Sequence, residues 1–334
     1  MKKRFRWKQL LAGVLAGLSL LPVVPQMVQA EDYWPDGMSA KSPSAIVMEV
    51  NTGTILYEKK IHKQYYPASI TKIMTTLLAI ENCDMDEIVT FSADAVYNNE
   101  GDTSHIARDL GEQLTVEQCL YGIMLESANE CAYAIAEHVG EKLGGDYQTF
   151  IDLMNKRAKE LGCQDTHFNN CNGLPDEKHY VSAYDMALIS AAAYKNETFR
   201  IITGASSYTI PATNKHKDPY YCHNHHKMIY PWQGDSKYLY DYCTGGKTGF
   251  TKVACSNQLF SCLNCLKNVH HSNFKCVGVA FLFTNNLFPV PLVNIDGVEV
   301  IKIFVPADGV HVGVKSFMHS ETIAFQSQSL PFSQ

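Results

Sequence analysis

A serine and a lysine three positions apart, Ser69 and Lys72, are the first residues in this chain whose types and spacing could do chemistry. They lie in the stretch "YPASITKIMTT", where Pro67 suits the first turn of a helix. Residues three apart on a helix share one face. A serine needs a base to become a nucleophile, and a lysine is that base only when burial or a second cation lowers its pKa. The pair therefore predicts another positive group in the same cleft.

Two later motifs meet this requirement. Ser127–Asn129 ("SAN") precedes a predicted helix and offers a hydroxyl and an amide. Lys247–Gly249 ("KTG") ends a predicted aromatic strand and supplies a second cation, a hydroxyl, and a glycine that lets a substrate lie against the strand. Each motif alone is common in unrelated proteins. The three in this order, each on the element that its chemistry needs, indicate a serine acyl-transfer site.

The elements that must position these motifs alternate in type along the chain. "SAIVMEVNTGTILYEKK" predicts two strands joined by a turn at 51–53. "ASITKIMTTLLAIEN" predicts a helix opened by Pro67, and helical spacing recurs in "SANECAYAIAEHVGEKLGG" and over 150–161. Ser182 and Asp185 have capping-box spacing before another helix.

A strand is predicted to return at the last motif, in "YLYDYCTGGKTGF". Two strands, then several helices, then strands again predict an α+β fold rather than a doubly wound one. We expect a largely antiparallel sheet flanked by a helical cluster, with room for a small β-rich module at the C-terminus.

Composition and the N-terminus favour a protein that works outside the cytoplasm. The net charge of -6 and the lack of a basic stripe argue against a nucleic-acid partner. Residues 1–30 combine a basic start ("MKKRFRWK"), an apolar run ("LLAGVLAGLSLL") and a final "VQA", which predict a cleaved secretory signal. The apolar run is short for a membrane anchor. Residues 31–41 are interpreted as a linker.

Cysteines and histidines give only weak evidence for a metal site. The 11 cysteines show no disulfide-framework spacing, and Cys262 and Cys265 form a lone CxxC. "HKDPYYCHNHHK" lacks a helical histidine pair with a nearby carboxylate, so we expect a solvated loop near the cleft. Glu126 is interpreted as a charge at a helix N-terminus. We predict no metal and no cofactor.

The three motifs together are the signature of serine β-lactamases and penicillin-binding proteins. Over residues 42 to about 254, the chain resembles the exported serine D-alanyl-D-alanine carboxypeptidases, the low-molecular-weight penicillin-binding proteins of the peptidase S11 type. Four blocks carry the resemblance, in that family's order: "SAIVMEVNTGTILYEK", "YPASITKIMTTLLAI", "HFNNCNGLPDEKHYVSAYDMALI" and "GGKTGFTKVA". The resemblance implies a β-lactamase/transpeptidase-like fold, and an enzyme that removes the terminal D-alanine from peptidoglycan stem peptides and that β-lactams inhibit covalently.

The resemblance also implies roles for the catalytic residues. Ser69 attacks the carbonyl between the two terminal D-alanines and becomes the acyl-enzyme. Lys72 is the base for this step, and Lys247 helps to keep Lys72 neutral. Ser127 passes protons toward the leaving amine and, with Lys72, helps to activate the water that ends the cycle.

Substrate-binding roles follow in the same way. Asn129 holds the peptide of the substrate, and Lys247 with Thr248 binds its terminal carboxylate. Gly249 lets the substrate approach the strand. The backbone N–H groups of Ser69 and Phe250 form the oxyanion hole.

The chain departs from that family's pattern in two places. Ala128 stands where the middle motif usually has glycine. The first 254 residues carry 54 charged side chains and the last 80 carry eight, with no arginine. We predict a catalytic domain over 42–284 and a C-terminal β-rich or atypical segment over 285–334. A native module, a drifted or frameshifted tail and a peripheral membrane attachment stay open, although no amphipathic helix is evident at the end.

Three other functions compete with the carboxypeptidase. A β-lactamase uses the same three motifs, but the common class adds a Glu-x-x-Leu-Asn pattern that is missing between Asn129 and Lys247. A penicillin-binding module whose aberrant C-terminus impairs catalysis would also keep the motifs. An ester hydrolase on the same scaffold stays open, because the motifs fix the reaction class better than the substrate.

Overall fold

A five-stranded antiparallel sheet with helices packed on it forms the framework of the chain. This computed structural model describes residues 42–98, 103–231, 234, 236–263, 277–284, 293–295 and 298–300. The predicted signal (1–30) and linker (31–41) lie outside the described residues, as does most of the predicted C-terminal segment.

The sheet has the order β2-β1-β9-β8-β7, so strands from both ends of the described chain meet at its centre. Shorter antiparallel pairs join β3 to β4, β5 to β6, and β10 to β11. The strands are β1 (Ser44–Glu49), β2 (Ile55–Lys59), β3 (Ile88–Thr90), β4 (Gln113–Thr115), β5 (Ser207–Ile210), β6 (Tyr220–His223), β7 (Cys243–Thr251), β8 (Cys255–Leu263), β9 (Val277–Thr284), β10 (Val293–Ile295) and β11 (Val298–Val300).

The helices lie between β2 and β7 in the sequence. A 3₁₀ turn, Ala68–Thr71, leads into the first of them. The α-helices are α1 (Lys72–Asn82), α2 (Ala93–Tyr97), α3 (Val116–Leu125), α4 (Asn129–Lys142), α5 (Tyr147–Glu160), α6 (Ala183–Lys195) and α7 (Glu197–Gly204).

Helix α1 occupies the centre of the helical cluster. Its first eight residues are all buried, and it packs against α3, α4 and α6. Helix α6 in turn packs on β1 and β9, and α7 packs on β7. An amphipathic surface helix buries only one stripe. Burial all round α1 therefore explains why "KIMTTLLA" lacks a charged face, apart from the lysine that begins it.

The predicted α+β fold is confirmed, and so are the predicted hairpin, two of the predicted helices and one helix cap. The β1–β2 hairpin forms around Gly53, whose φ of +72° suits a glycine in a tight turn. Helices α4 and α5 form where helical spacing predicted them. Ser182 caps α6 by accepting from the Asp185 N–H, as expected. The carboxylate of Asp185 does not complete a capping box; it accepts from Asp165 N and Thr166 Oγ1 instead.

Two predicted boundaries were wrong. The segment after Pro67 begins as a 3₁₀ turn rather than as an α-helix, so α1 starts only at Lys72. The aromatic stretch before the last motif is a turn, and β7 starts at Cys243. In both places contacts with distant residues compete with the predicted element. Asn257 donates to the carbonyls of Tyr66 and Pro67. Tyr240 N donates to the carbonyl of Met228.

The sheet continues beyond Ala254, where the chain changes character. Strand β8 pairs with β7 and β9, and β9 pairs along the whole of β1, from Ser44 opposite Phe283 to Glu49 opposite Gly278. The catalytic-domain limit of 284 stays a prediction, but β9 ends at that residue.

The buried face of α3 gives a direct stability test. Leu120 is fully buried in the core, whereas Leu143 after α4 is 47% exposed. We expect Leu120→Ala to lower the free energy of unfolding by about 2–5 kcal/mol, because it leaves a cavity. Leu143→Ala should stay within about 0.5 kcal/mol of wild type. Urea unfolding of both variants measures the difference, and equal losses would contradict this assignment of the core.

Candidate active site

The 3₁₀ turn brings Ser69 and Lys72 together. Ala68 has a left-handed φ of +53°, which turns the chain sharply just before the serine. Side chains three apart eclipse one another in a 3₁₀ helix. Lys72 Nζ accordingly lies 3.1 Å from Ser69 Oγ, within hydrogen-bond reach. The predicted pairing of the two residues is present in the structure.

Lys72 is fully buried and has two further partners. Its Nζ donates to Asn129 Oδ1 at 2.6 Å and to the carbonyl of Asn172 at 2.7 Å. Both oxygens only accept hydrogen bonds. A neutral amine has two hydrogens and one lone pair, so these acceptors take the hydrogens and leave the lone pair facing the hydroxyl of Ser69. The geometry therefore suits proton transfer from the serine to the lysine.

Burial supports the same protonation state. It lowers the pKa of Lys72 to about 7, although the nearby Cys171 and the buried carboxyl of Glu130 act in the opposite direction. A group with this pKa is partly neutral at neutral pH, which is what a general base requires.

The second and third motifs also meet. Lys247 Nζ lies 3.1 Å from Ser127 Oγ and donates to the Thr248 carbonyl at 2.7 Å. Ser127 has a left-handed φ of +61°, so this turn is shaped for the site rather than relaxed. Lys247 is 2% exposed, and burial first, then the charge of Lys72, lowers its pKa.

The cause of the lowered pKa of Lys72 differs from the one expected, which was the nearby charge of Lys247. Burial, rather than Lys247, is the main cause of the lowered pKa of Lys72. Repulsion between the two cations contributes instead to the lowered pKa of Lys247, where the charge of Lys72 is the second cause after burial. That Lys247 helps to keep Lys72 neutral stays a prediction.

Strand β7 forms one wall of the site and is an edge strand of the five-stranded sheet. Its Gly249 lies against the 3₁₀ turn Ala68–Thr71, called the catalytic turn here because it carries Ser69. A Cβ at Gly249 would be 3.0 Å from Ser69 N and 3.1 Å from Ile70 N. Phe250 follows and is 51% exposed. The glycine thus lets the backbone of β7 approach the serine. That it lets a substrate lie against the strand stays a prediction.

Two buried asparagines that sequence reasoning missed hold the turn in place. Asn257 of β8 donates through Nδ2 to the carbonyls of Tyr66 (2.9 Å) and Pro67 (2.8 Å). Asn172 supplies its carbonyl to Lys72. The only sequence signal for Asn172 was the Asn-Gly pair, and Asn257 left none.

Gly173 explains that Asn-Gly pair. Its φ is +92°, and a Cβ would lie 1.9 Å from the carbonyl oxygen of Ala68. No other residue type fits a position with both constraints. The segment that carries Asn172 can therefore pack directly on the catalytic turn.

The histidine-rich stretch is less solvated than we expected. His226 is 4% exposed and lies against Gly246, beside Lys247. Glu126 is the C-cap of α3, not a charge at a helix N-terminus, and it accepts from His223 N (2.6 Å) and pairs with His225 (2.8 Å). Burial raises the pKa of Glu126, but hydrogen bonds from His225 and from the His223 backbone outweigh it. The pKa of Glu126 therefore lies below its ordinary value.

The described residues contain two groups of side chains with metal-ligand chemistry, and neither includes a residue of the three motifs. One carboxylate in each group already has a cationic partner: Lys142 for Glu87 and Arg108 for Glu112. The remaining members are Cys83 and His138 in the first group, and Asp109 and His216 in the second.

Fold and site together define a class of protein. A serine on a sharp turn has a buried lysine beside it, and a second serine–lysine pair has its lysine on the edge strand β7. This is the geometry that a serine acyl-transfer site with a lysine base requires.

Comparison with known proteins then gives the family. The family model for D-alanyl-D-alanine carboxypeptidase (peptidase S11) matches residues 29–265. This chain belongs to that family, as the sequence resemblance predicted.

Curated relatives carry the same name. The chain is 34% identical over 253 residues to D-alanyl-D-alanine carboxypeptidase DacF of Bacillus subtilis, covering 74% of this chain and 61% of DacF. It is 32% identical over 177 residues to DacA of Haemophilus influenzae, covering 51% and 40% of the two chains. The chain thus spans less than two thirds of the length of these relatives.

Solved structures share the fold. The DD-transpeptidase of a Streptomyces strain superposes with a TM-score of 0.65 at 26% identity, covering 76% of this chain and 93% of that one. A D-alanyl-D-alanine carboxypeptidase from Mycobacterium tuberculosis gives a TM-score of 0.61 at 23% identity, covering 76% and 85%. As for the membrane, none of the described helices is both long and apolar enough to cross one.

Two buried histidines predict how stability depends on pH. Burial lowers the pKa of His179 to about 3 and that of His226 to about 4. Both values lie below the unfolded value of about 6.5, so the unfolded chain binds more protons at acidic pH. The stability that these two histidines contribute is complete above about pH 6.5, and each removes up to about 1.4 kcal/mol per pH unit as the pH falls from there toward its folded pKa.

Urea unfolding between pH 7.5 and 5.0 tests this dependence. His226→Asn should make the loss of stability with falling pH shallower by about one proton, whatever its effect on stability at pH 7.5. An unchanged slope would show that His226 is not held neutral by its burial.

Proposed function

We propose that this protein is a serine D-alanyl-D-alanine carboxypeptidase that removes the terminal D-alanine from peptidoglycan stem peptides through an acyl-enzyme on Ser69. The observation that carries the proposal is the set of contacts at Lys72. Two acceptors lie within hydrogen-bond distance of its Nζ, Ser69 Oγ lies 3.1 Å from the same nitrogen, and its pKa is lowered to about 7.

Acylation follows from this arrangement. Lys72 takes the proton of Ser69 as Oγ attacks the carbonyl carbon of the scissile D-alanyl bond, and a tetrahedral intermediate forms. The backbone N–H groups of Ser69 and Phe250 are the proposed oxyanion donors. Gly249 supports this pairing by bringing β7 close to the turn. Such donors are typically worth about 2.7–4 kcal/mol each in the transition state.

Collapse of the intermediate needs a proton on the leaving amine. We assign this step to Ser127: its hydroxyl gives its proton to the amine and takes back the proton that Lys72 received from Ser69. The contact of Ser127 Oγ with Lys247 Nζ at 3.1 Å, in the same cleft, supports this assignment. The C–N bond then breaks, D-alanine leaves, and the serine ester remains. In deacylation, Lys72, assisted by Ser127, takes a proton from water as the water oxygen attacks the ester carbonyl. This proton passes to Ser69 Oγ as the acyl C–O bond breaks, which releases the shortened peptide.

Substrate recognition is assigned to the cleft beside β7. Lys247 and Thr248 bind the terminal carboxylate, and Asn129 binds the peptide through its amide. The lysine is buried without a carboxylate partner among the contacts described for it, so a substrate anion would supply the missing charge. β-Lactams, whose carboxylate and acyl carbonyl have the same layout, are the proposed covalent inhibitors.

Action on peptidoglycan implies a protein outside the cytoplasm. We propose export through the signal at 1–30, with mature protein beginning near residue 31. The sequence pattern supports this step. We also propose peripheral membrane attachment, for which the support is the resemblance to the family.

Covalent labelling tests the nucleophile. Wild-type protein exposed to benzylpenicillin should gain one adduct in its intact mass, mapping to Ser69, and the adduct should last long enough to isolate. Ser69→Ala should gain none, because Ser69 is the one residue among those described whose hydroxyl contacts Lys72 Nζ. Labelling that survives in the variant would remove Ser69 from this role. An adduct that clears within seconds, with turnover of the drug, would identify a β-lactamase instead.

Substrate charge tests Lys247. The ratio of kcat/KM for a peptide ending in D-Ala-D-Ala to that for its C-terminal amide should fall about 10- to 100-fold in Lys247→Ala, since the lost contact is made only with the carboxylate. Lys252→Ala, an exposed lysine in the turn after β7, should keep the wild-type ratio. Because a ratio is measured, partial loss of folded protein does not affect it. A ratio unchanged in Lys247→Ala would contradict the assignment.

A further inference from the structure

A buried histidine outside the three motifs, His179, joins the two chain segments that meet at Lys72. It lies in the loop before α6 and is fully buried. Its Nε2 is 2.8 Å from Thr71 Oγ1, on the residue directly before Lys72. Its Nδ1 is 2.9 Å from the backbone N of Asn169 and 3.3 Å from that of Asn170.

These contacts fix the state of the ring. A backbone N–H only donates, so Nδ1 must accept from Asn169 and Asn170 and carries no proton. The ring hydrogen is therefore on Nε2, where it is donated to the hydroxyl of Thr71. The ring is neutral, and burial lowers the pKa of His179 to about 3, in agreement with this tautomer.

The segment that His179 holds, Asn169–Gly173, is called the acceptor segment here because two of its carbonyls accept from α1. The Cys171 carbonyl accepts from Thr75 Oγ1 at 2.6 Å. The Asn172 carbonyl accepts from Lys72 Nζ at 2.7 Å. The acceptor segment is thus tied to α1 at two points and, through His179 and Thr71, to the end of the 3₁₀ turn at a third.

We propose that His179 is a positioning residue for acylation: it holds the acceptor segment so that the Asn172 carbonyl engages one hydrogen of Lys72 and leaves the amine lone pair aimed at Ser69. This inference rests on the proposed function of Ser69 and Lys72. A displacement of about 1 Å in a reacting group costs on the order of 10²-fold in rate. His179 touches neither substrate nor Ser69, so its effect passes through the carbonyl of Asn172.

Thr71 offers a cleaner test than the histidine itself, whose removal leaves several buried groups without partners. Thr71→Val keeps the shape of the side chain and removes only the hydroxyl that His179 binds. Thr71→Ser keeps the hydroxyl and serves as the rescue variant. Thr76→Val is the matched control: Thr76 lies in α1 five residues after Thr71, is fully buried, and its hydroxyl has no hydrogen-bond partner among the described residues.

Rapid-mixing acylation by benzylpenicillin separates the rate constant of acylation from the dissociation constant of the initial complex. Both are taken per active site, counted from the final adduct mass. We expect Thr71→Val to lower the acylation rate constant about 10- to 100-fold with little change in the dissociation constant. Thr71→Ser and Thr76→Val should stay within about threefold of wild type, and His179→Gln should lose at least as much as Thr71→Val.

The outcomes separate this inference from the function on which it rests. Wild-type acylation with an undiminished rate constant in Thr71→Val would overturn the role of His179 and leave the proposed function standing. Equal losses in Thr71→Val and Thr76→Val would also overturn it, because they would reflect general packing. A wild-type protein that gains no adduct would overturn the proposed function and this inference with it.

Discussion

The burial of the Lys72 amine is the constraint on which the rest of this structure depends. A lysine side chain is almost never fully buried unless it is paired, and here its partners are neutral oxygens rather than a carboxylate in direct contact. Burial lowers its pKa to about 7, so the amine is partly neutral at neutral pH, as the proposed base must be. The same burial costs folding free energy, because a charged form has lost its water. The free energy of unfolding is therefore smaller than it would be with an apolar residue at this position, but the lysine can accept a proton.

Three chain segments converge to make that burial possible. The 3₁₀ turn places the lysine directly below the serine, the "SAN" turn supplies the Asn129 oxygen, and the acceptor segment supplies the Asn172 carbonyl. Strand β7 closes the other side at Gly249. Each approach needs an unusual backbone or a missing side chain: left-handed φ at Ala68 and Ser127, and glycine at Gly173. Strain of this kind persists only where the surrounding structure over-determines it.

The strands beyond Ala254 bear directly on the site. β8 carries Asn257, which holds the turn before the serine by two carbonyls, and β9 ties β8 to β1. The stretch where the resemblance in sequence fades therefore still holds the catalytic turn against the sheet. Family membership rests on residues 29–265, which include β8.

The sequence by itself determined the pairing of Ser69 with Lys72, the order of the three motifs, the β1–β2 hairpin and most of the helices, because these depend on spacing and on near neighbours. It did not determine that Ser69 sits on a 3₁₀ turn, nor the contacts of Asn172, Asn257 and His179. Those contacts join residues 100, 191 and 108 positions apart. A polar residue that meets its partner only in the folded chain leaves no periodic pattern, so only the tertiary structure decided how the lysine is held and aimed.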